Sequence, residues 1–198
     1  MPSRLYVREL PPVHRMELLT SVDPDLLRWI RVDAEKHEFD LKAGDAVVAA
    51  LRWKSALGSM ATVVTAEAKL TIKRTGFLNP RITVRDAASG KDMAHLDAHP
   101  SRSTLVLAGG TTYDWHRTGL LVPGWHFRDR HGTEVLSLEP VREGLRLEGS
   151  LVEVTDAGRK LPQLLLLLLV GFYFIALAWL EDQAAAASSA LLTAAVGP

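Results

Sequence analysis

The chain has no cysteine among its 198 residues. That excludes a disulfide scaffold, Cys-ligated zinc, an iron–sulfur cluster and a thiol nucleophile. It also has no net charge, with 23 basic against 23 acidic residues and a pI near 7.1. The basic footprint of a nucleic-acid-binding domain is therefore missing, and no nucleic-acid partner is expected. The opening MPSRLYVRELPPVHRMELL carries early charges and no unbroken apolar stretch of signal-peptide length, so the expectation is a cytoplasmic protein. Nucleophile elbows of the GxSxG type are lacking, as are phosphate-cradling GxxxxGK[ST] and GxGxxG loops. No stretch recurs closely enough for a propeller or solenoid. What remains is ordinary globular composition, 47% hydrophobic and 23% charged, in a chain about one domain long.

The most biased segment lies near the end. Residues 164–170 read LLLLLLV, and Gln163 to Leu180 carries no charge over eighteen residues. As a helix this run spans about 27 Å, close to the thickness of a bilayer's hydrocarbon core. Pro162 suits a helix start, which places the helix at about 162–181. A helix apolar on every face is either a membrane span or a buried core helix. Residues 183–198 form an alanine-rich tail to which no function attaches.

Between residues 37 and 154 the apolar period is two. Phe39 and Leu41 alternate with Asp40 and Lys42, Leu70 and Ile72 with Thr71 and Lys73, Ile82 and Val84 with Thr83 and Arg85. Tyr113 and Trp115, then Trp125 and Phe127, continue the pattern. Each is a half-buried strand with one apolar face. Glycines at the ends of 88–90, 108–110, 130–132 and 142–144 mark the turns. Ten to twelve strands at this spacing read as an antiparallel all-β domain. Between Leu151 and Val152 the apolar phase slips, which predicts a bulge.

So many strands must close on themselves to remove their edges. A twelve-strand barrel is wider than one whose side chains fill their own lumen. The apolar helix after Lys160 is the one segment able to fill it. The sequence thus predicts a mainly β protein, a closed antiparallel barrel around a buried C-terminal helix. The barrel covers residues 37–182. Residues 1–36 form an N-terminal arm, in which Leu26, Leu27, Trp29 and Ile30 make a short helical face. The competing reading is a cytoplasmic β domain with one C-terminal transmembrane anchor at residues 163–180. Arg159 and Lys160 on the domain side and Trp179 at the far end fit that reading.

A strand meander followed by one very apolar helix resembles the Tubby C-terminal-like superfold, which includes the Tubby, phospholipid scramblase and LURP-one-related proteins. The resemblance runs from RITVRDAASGKDMAHL, through LAGGTTYDW and GWHFRDRHGTEV, to LPQLLLLLLVGFYFIALAWLED. The paired RDAASGKD and RDRHGTE hairpins are similar to those of short bacterial and LURP-one-related members. The resemblance implies a twelve-stranded barrel wrapped around the C-terminal helix. Tubby proteins bind phosphoinositide headgroups through basic residues on the barrel surface. Scramblase members carry an acidic calcium segment and a cysteine-rich palmitoylation stretch; neither is matched here, so scramblase activity is not implied.

Three groups of residues are candidate sites. The densest basic stretch holds Lys69, Lys73, Arg74, Arg81 and Arg85 with no acid between them. Cations converging on one surface can hold an anionic phospholipid headgroup, so these five are the candidate lipid-headgroup ligands. His95, Asp97 and His99 share one strand face near Asp92, in principle a metal site, but Pro100 ends the strand and no metal is expected. Asp114, His116 and the many serines can be arranged into a triad on paper, but no nucleophile elbow is present to carry it. Without a convergent constellation the expectation is a non-enzyme with no cofactor. The partners expected are an anionic phospholipid or membrane surface, or another protein.

Overall fold

The computed structural model describes residues 16–33, 35–55, 58–76, 80–97, 102–118 and 124–195, with side chains as far as Ser189. Two 3₁₀ turns, Leu19–Ser21 and Pro24–Leu26, lead into twelve strands. These are β1 (Leu27–Asp33), β2 (Glu38–Ala43), β3 (Ala46–Trp53), β4 (Ala61–Thr65), β5 (Lys69–Thr75) and β6 (Arg81–Asp86). They continue as β7 (Asp92–Asp97), β8 (Arg102–Leu107), β9 (Thr112–Thr118), β10 (Gly124–Arg128), β11 (Glu134–Glu143) and β12 (Arg146–Val154). A single helical turn, α1 (Asp156–Arg159), precedes the long helix α2 (Leu164–Ala195).

Each strand pairs antiparallel with its chain neighbours, and β1 pairs with β12, so the sheet closes into a barrel. No edge is left to template another chain. Alternation does the sorting: Phe39, Leu41, Ile72, Ile82, Val84, Leu96, Leu105, Trp115 and Phe127 are fully buried inside the wall. The predicted inward phase of Trp115, Trp125 and Phe127 holds.

The lumen is filled by α2, whose Leu167, Leu168, Val170, Phe172 and Tyr173 are completely buried. Two aromatic clusters grip the helix. Phe172 stacks on Trp29 at 4.4 Å and Tyr173 on Trp53 at 5.2 Å. Phe174 sets its edge against Trp115 at 6.2 Å and Trp125 at 5.4 Å. Such pairs add about 0.5–1.5 kcal/mol each beyond their burial. Gly171 sits where the wall presses closest: a β-carbon there would lie 2.6 Å from Leu138 Cδ1 and 3.0 Å from the Phe127 ring. Tyr173 donates its hydroxyl proton to the Ser59 carbonyl, which satisfies the polar atom this residue carries into the core. Most of residues 164–180 are thereby buried, with Leu165, Leu166, Phe174, Ala178 and Leu180 half-buried. This segment is the core of the barrel.

Three boundaries differ from the sequence reading. The segment read as a short helical face in an N-terminal arm is strand β1, with Leu27 and Trp29 turned inward. Apolar residues at 26, 27, 29 and 30 satisfy both periods; pairing with β2 and β12 on either side selects the strand. The barrel thus begins at 27 rather than 37, Met16 of the preceding arm is buried against it, and residues 1–15 of the arm lie outside those described. The helix does not stop near 181 but continues to Ala195, taking in most of the alanine-rich tail, where nothing in the local sequence breaks it. Residues 196–198 lie outside the described chain. Finally, the bulge falls slightly earlier than 151–152. Val141 pairs with Gly149 but Arg142 with Leu147, so Glu148 is the extra residue. Both Leu147 and Ser150 then face inward.

Candidate functional site on the outer wall

With the lumen occupied, the sequence-predicted basic residues can act only on the outside of the barrel. The five basic residues of the 69–85 stretch do not act as one group there. Lys69 and Lys73 point outward from β5 and are exposed, and among the described residues neither makes an ion pair. Arg81 faces Asp97 across the β6–β7 pair, with Nε 2.7 Å from Oδ1. Arg85 faces Asp92 in the same way, also at 2.7 Å. That contact raises the Arg85 pKa and lowers that of Asp92. Arg74 occupies the inward phase of β5 and pairs with Glu181 as α2 leaves the barrel. The stretch is free of acids only along the chain. Its neighbours β7 and α2 supply them. Two of the five candidates, Lys69 and Lys73, remain uncompensated on the surface.

The histidine–aspartate pattern of β7 has its carboxylates turned to other partners. Asp97 and Asp92 are committed to arginines, and His99 lies outside the described residues. Among the described residues no group of three potential ligands comes together.

A richer arrangement, of which the sequence singles out only Asp114 and His116, lies on β8–β10. Register places Arg102 opposite His116, His116 opposite His126, and Asp114 opposite Arg128. The two imidazoles stack with ring centres 5.6 Å apart. Thr118 Oγ1 is 2.6 Å from His126 Nε2, and Glu134 Oε1 is 2.9 Å from His126 Nδ1. The order hydroxyl–imidazole–carboxylate is that of a nucleophile relay. However, His126 Nδ1 and the carboxylate are not aligned as a hydrogen bond. The relay is incomplete, and we assign it no reaction. Beside it Arg102, Asp114, His116, Arg128, Asp129, Arg130 and His131 surround an open recess of about 570 Å³.

Among the described residues, the imidazoles of His37 and His116 are held below the ordinary histidine range. For His37 the cause is burial first and Arg31 second. For His116 it is burial first, then Arg128 and His126, with Glu134 opposing them and Arg102 adding to them. The unfolded chain takes up these protons near pH ~6.5 while the folded chain resists. Their contribution to stability is therefore whole above that pH and is lost as pH falls below it. We expect a lower urea midpoint at about pH 5.5 than at about pH 7.5, with the gap narrowing in His37→Gln and His116→Gln. Equal midpoints in the wild type would contradict this.

No protein-family model matches the chain, and searches of curated proteins and of solved structures likewise return no match. The closed twelve-strand barrel with its buried helix is therefore described from its own geometry.

Proposed function

We propose that this chain is a non-enzymatic, Tubby-like barrel that serves as a binding or scaffold module, with an anionic phospholipid headgroup as the ligand class of its β5 face. One observation carries the reading. The barrel interior is filled by the protein's own helix, so a ligand must dock on the outside, where Lys69 and Lys73 stand exposed two positions of the same phase apart. The family reading draws its support from architecture alone: strand number, closure, and a C-terminal helix as plug.

Within this reading the ligand set reduces to Lys69 and Lys73. Arg81 and Arg85 already spend their charge on Asp97 and Asp92, and Arg74 closes the barrel mouth with Glu181. A basic residue near an anionic membrane surface contributes about 1 kcal/mol. Lys69→Gln with Lys73→Gln should therefore weaken binding to vesicles containing anionic lipid by about tenfold or more. Salt should produce the same loss in the wild type, because the attraction is screened. Arg74→Gln should instead loosen the end of α2 and leave vesicle binding unchanged. Wild-type protein that ignores anionic vesicles at low ionic strength would overturn the assignment.

A further inference from the structure

We propose that the recess on β8–β10 binds a small soluble phosphomonoester, recognised by Arg128 and Arg130 with His116 beside them. The recess is a different wall from the β5 face, and the inference does not rest on lipid binding.

Its construction begins with the turn between β10 and β11. Asp129 Oδ1 accepts hydrogen bonds from the amides of His131 at 2.8 Å and Thr133 at 2.9 Å. Gly132, at φ +81°, lets the chain reverse. This turn fixes the chain at Arg130, which lines the recess, and engages Asp129 Oδ1 with two backbone amides. The second carboxylate, Asp114, is also engaged: Oδ2 accepts from Arg102 at 2.5 Å and Oδ1 from Thr104 at 3.3 Å.

Two guanidiniums are then left under-used. Arg130 donates through Nε to Nε2 of His131 at 3.0 Å. Among the described residues, its terminal nitrogens make no further hydrogen bond or ion pair. Arg128 comes only within 4.0 Å of Glu134, beyond hydrogen-bond distance. His116 contributes a ring whose buried Nε2 has no partner. A guanidinium fork matches the oxygens of a phosphoryl group in geometry and charge. The volume of about 570 Å³ suits a ligand of small-molecule size.

The charge pattern selects a soluble ligand over a bilayer. Three arginines in the lining are interleaved with two aspartates. A membrane surface rewards diffuse positive charge, whereas these carboxylates would face the anionic headgroups at close range. Recognition of a single phosphoryl group needs only the local fork.

The experiment titrates the full-length protein with inorganic phosphate and with glycerol phosphate at low ionic strength, following backbone amide shifts of residues 128–133. The expected result is saturable binding, tighter for the ester than for the inorganic ion. Affinity should fall at least tenfold in the Arg128→Gln/Arg130→Gln double variant and stay unchanged in Lys69→Gln/Lys73→Gln. Both arginines are solvent-facing, and an unaltered near-ultraviolet circular dichroism spectrum verifies that the variant is folded. Absence of saturable shifts, or affinity indifferent to the two arginines, overturns the proposal. So does a phosphatidic acid vesicle that needs Arg128 and Arg130 while the soluble ester fails to bind. Loss of vesicle binding through Lys69 and Lys73 alone bears on the β5 face and leaves this site standing.

Discussion

A chain ending at Lys160 is expected not to fold. It keeps all twelve strands but loses α2, and with it the side chains of Leu167, Leu168, Val170, Phe172 and Tyr173, none of which is exposed in the intact protein. Each large apolar side chain contributes about 1.5–3 kcal/mol on burial, while a whole domain is stable by about 5–15 kcal/mol. The wall would also face an empty lumen, leaving Trp29, Trp53 and Trp115 without their partners on the helix. A single charge should be nearly as damaging. Leu168→Lys places an ammonium at a fully buried position of the lumen, where burial of an unpaired charge costs several kcal/mol or more. Leu168→Ala, which leaves only a cavity, should cost about 2–5 kcal/mol and still give a folded protein. Urea denaturation and near-ultraviolet circular dichroism distinguish these results. A residue 1–160 fragment with a cooperative melt and sharp aromatic signals would show that the strands stand without the plug, and would restore the reading of α2 as a membrane anchor.

The second large effect should come from adding one methyl group at either of two glycines. At Gly149 a β-carbon would lie 1.9 Å from the carbonyl oxygen of Trp29, and φ there is +155°. This is the seam at which β1 and β12 close the barrel, and Gly149 sits opposite Ile30. At Gly158 a β-carbon would lie 1.9 Å from the carbonyl oxygen of Val135. That residue belongs to α1, whose first turn is capped by Thr155 and which steers the chain from β12 into α2. In both places the obstacle is backbone, which cannot rotate away as a side chain can. Gly149→Ala and Gly158→Ala should each destabilise by about 3 kcal/mol or more. Gly109→Ala, with nothing within 4 Å of the added carbon, is the control and should change the urea midpoint little. A Gly149→Ala or Gly158→Ala protein within about 0.5 kcal/mol of wild type would contradict the close approach of these strands.

Both effects concern features that differ in how legible they are in the chain. The plug can be read from composition, because eighteen uncharged residues leave few alternatives. The strands can be read from their period and from the glycines between them, because alternation and turn chemistry are local properties. A lumen too wide for its own wall side chains requires a filler, the apolar helix is the segment that supplies it, and the barrel has that arrangement. Gly149 and Gly158, by contrast, look like any other glycines. Only the approach of β1 and β11 makes them indispensable.

The same division runs through the candidate sites. That Lys69, Lys73, Arg81 and Arg85 face outward follows from strand phase, which the chain itself specifies. That Arg81 and Arg85 are neutralised does not. Their aspartates lie sixteen and seven residues away and meet them only through the β6–β7 register. Arg74 was misplaced for a related reason: it lies on the inward phase, tolerable only because Glu181 arrives from the far end of the sequence. The recess on β8–β10 draws Arg102, His116, Arg128 and Arg130 from three strands and a turn, with no motif linking them. Sequence alone therefore determined the elements, their faces and the apolar plug, since these depend on neighbours within a few residues. Pairing register, barrel closure through β1, and which charges stand uncompensated were decided only by tertiary structure, because cross-strand partners lie about 5 Å apart in space whatever their separation along the chain.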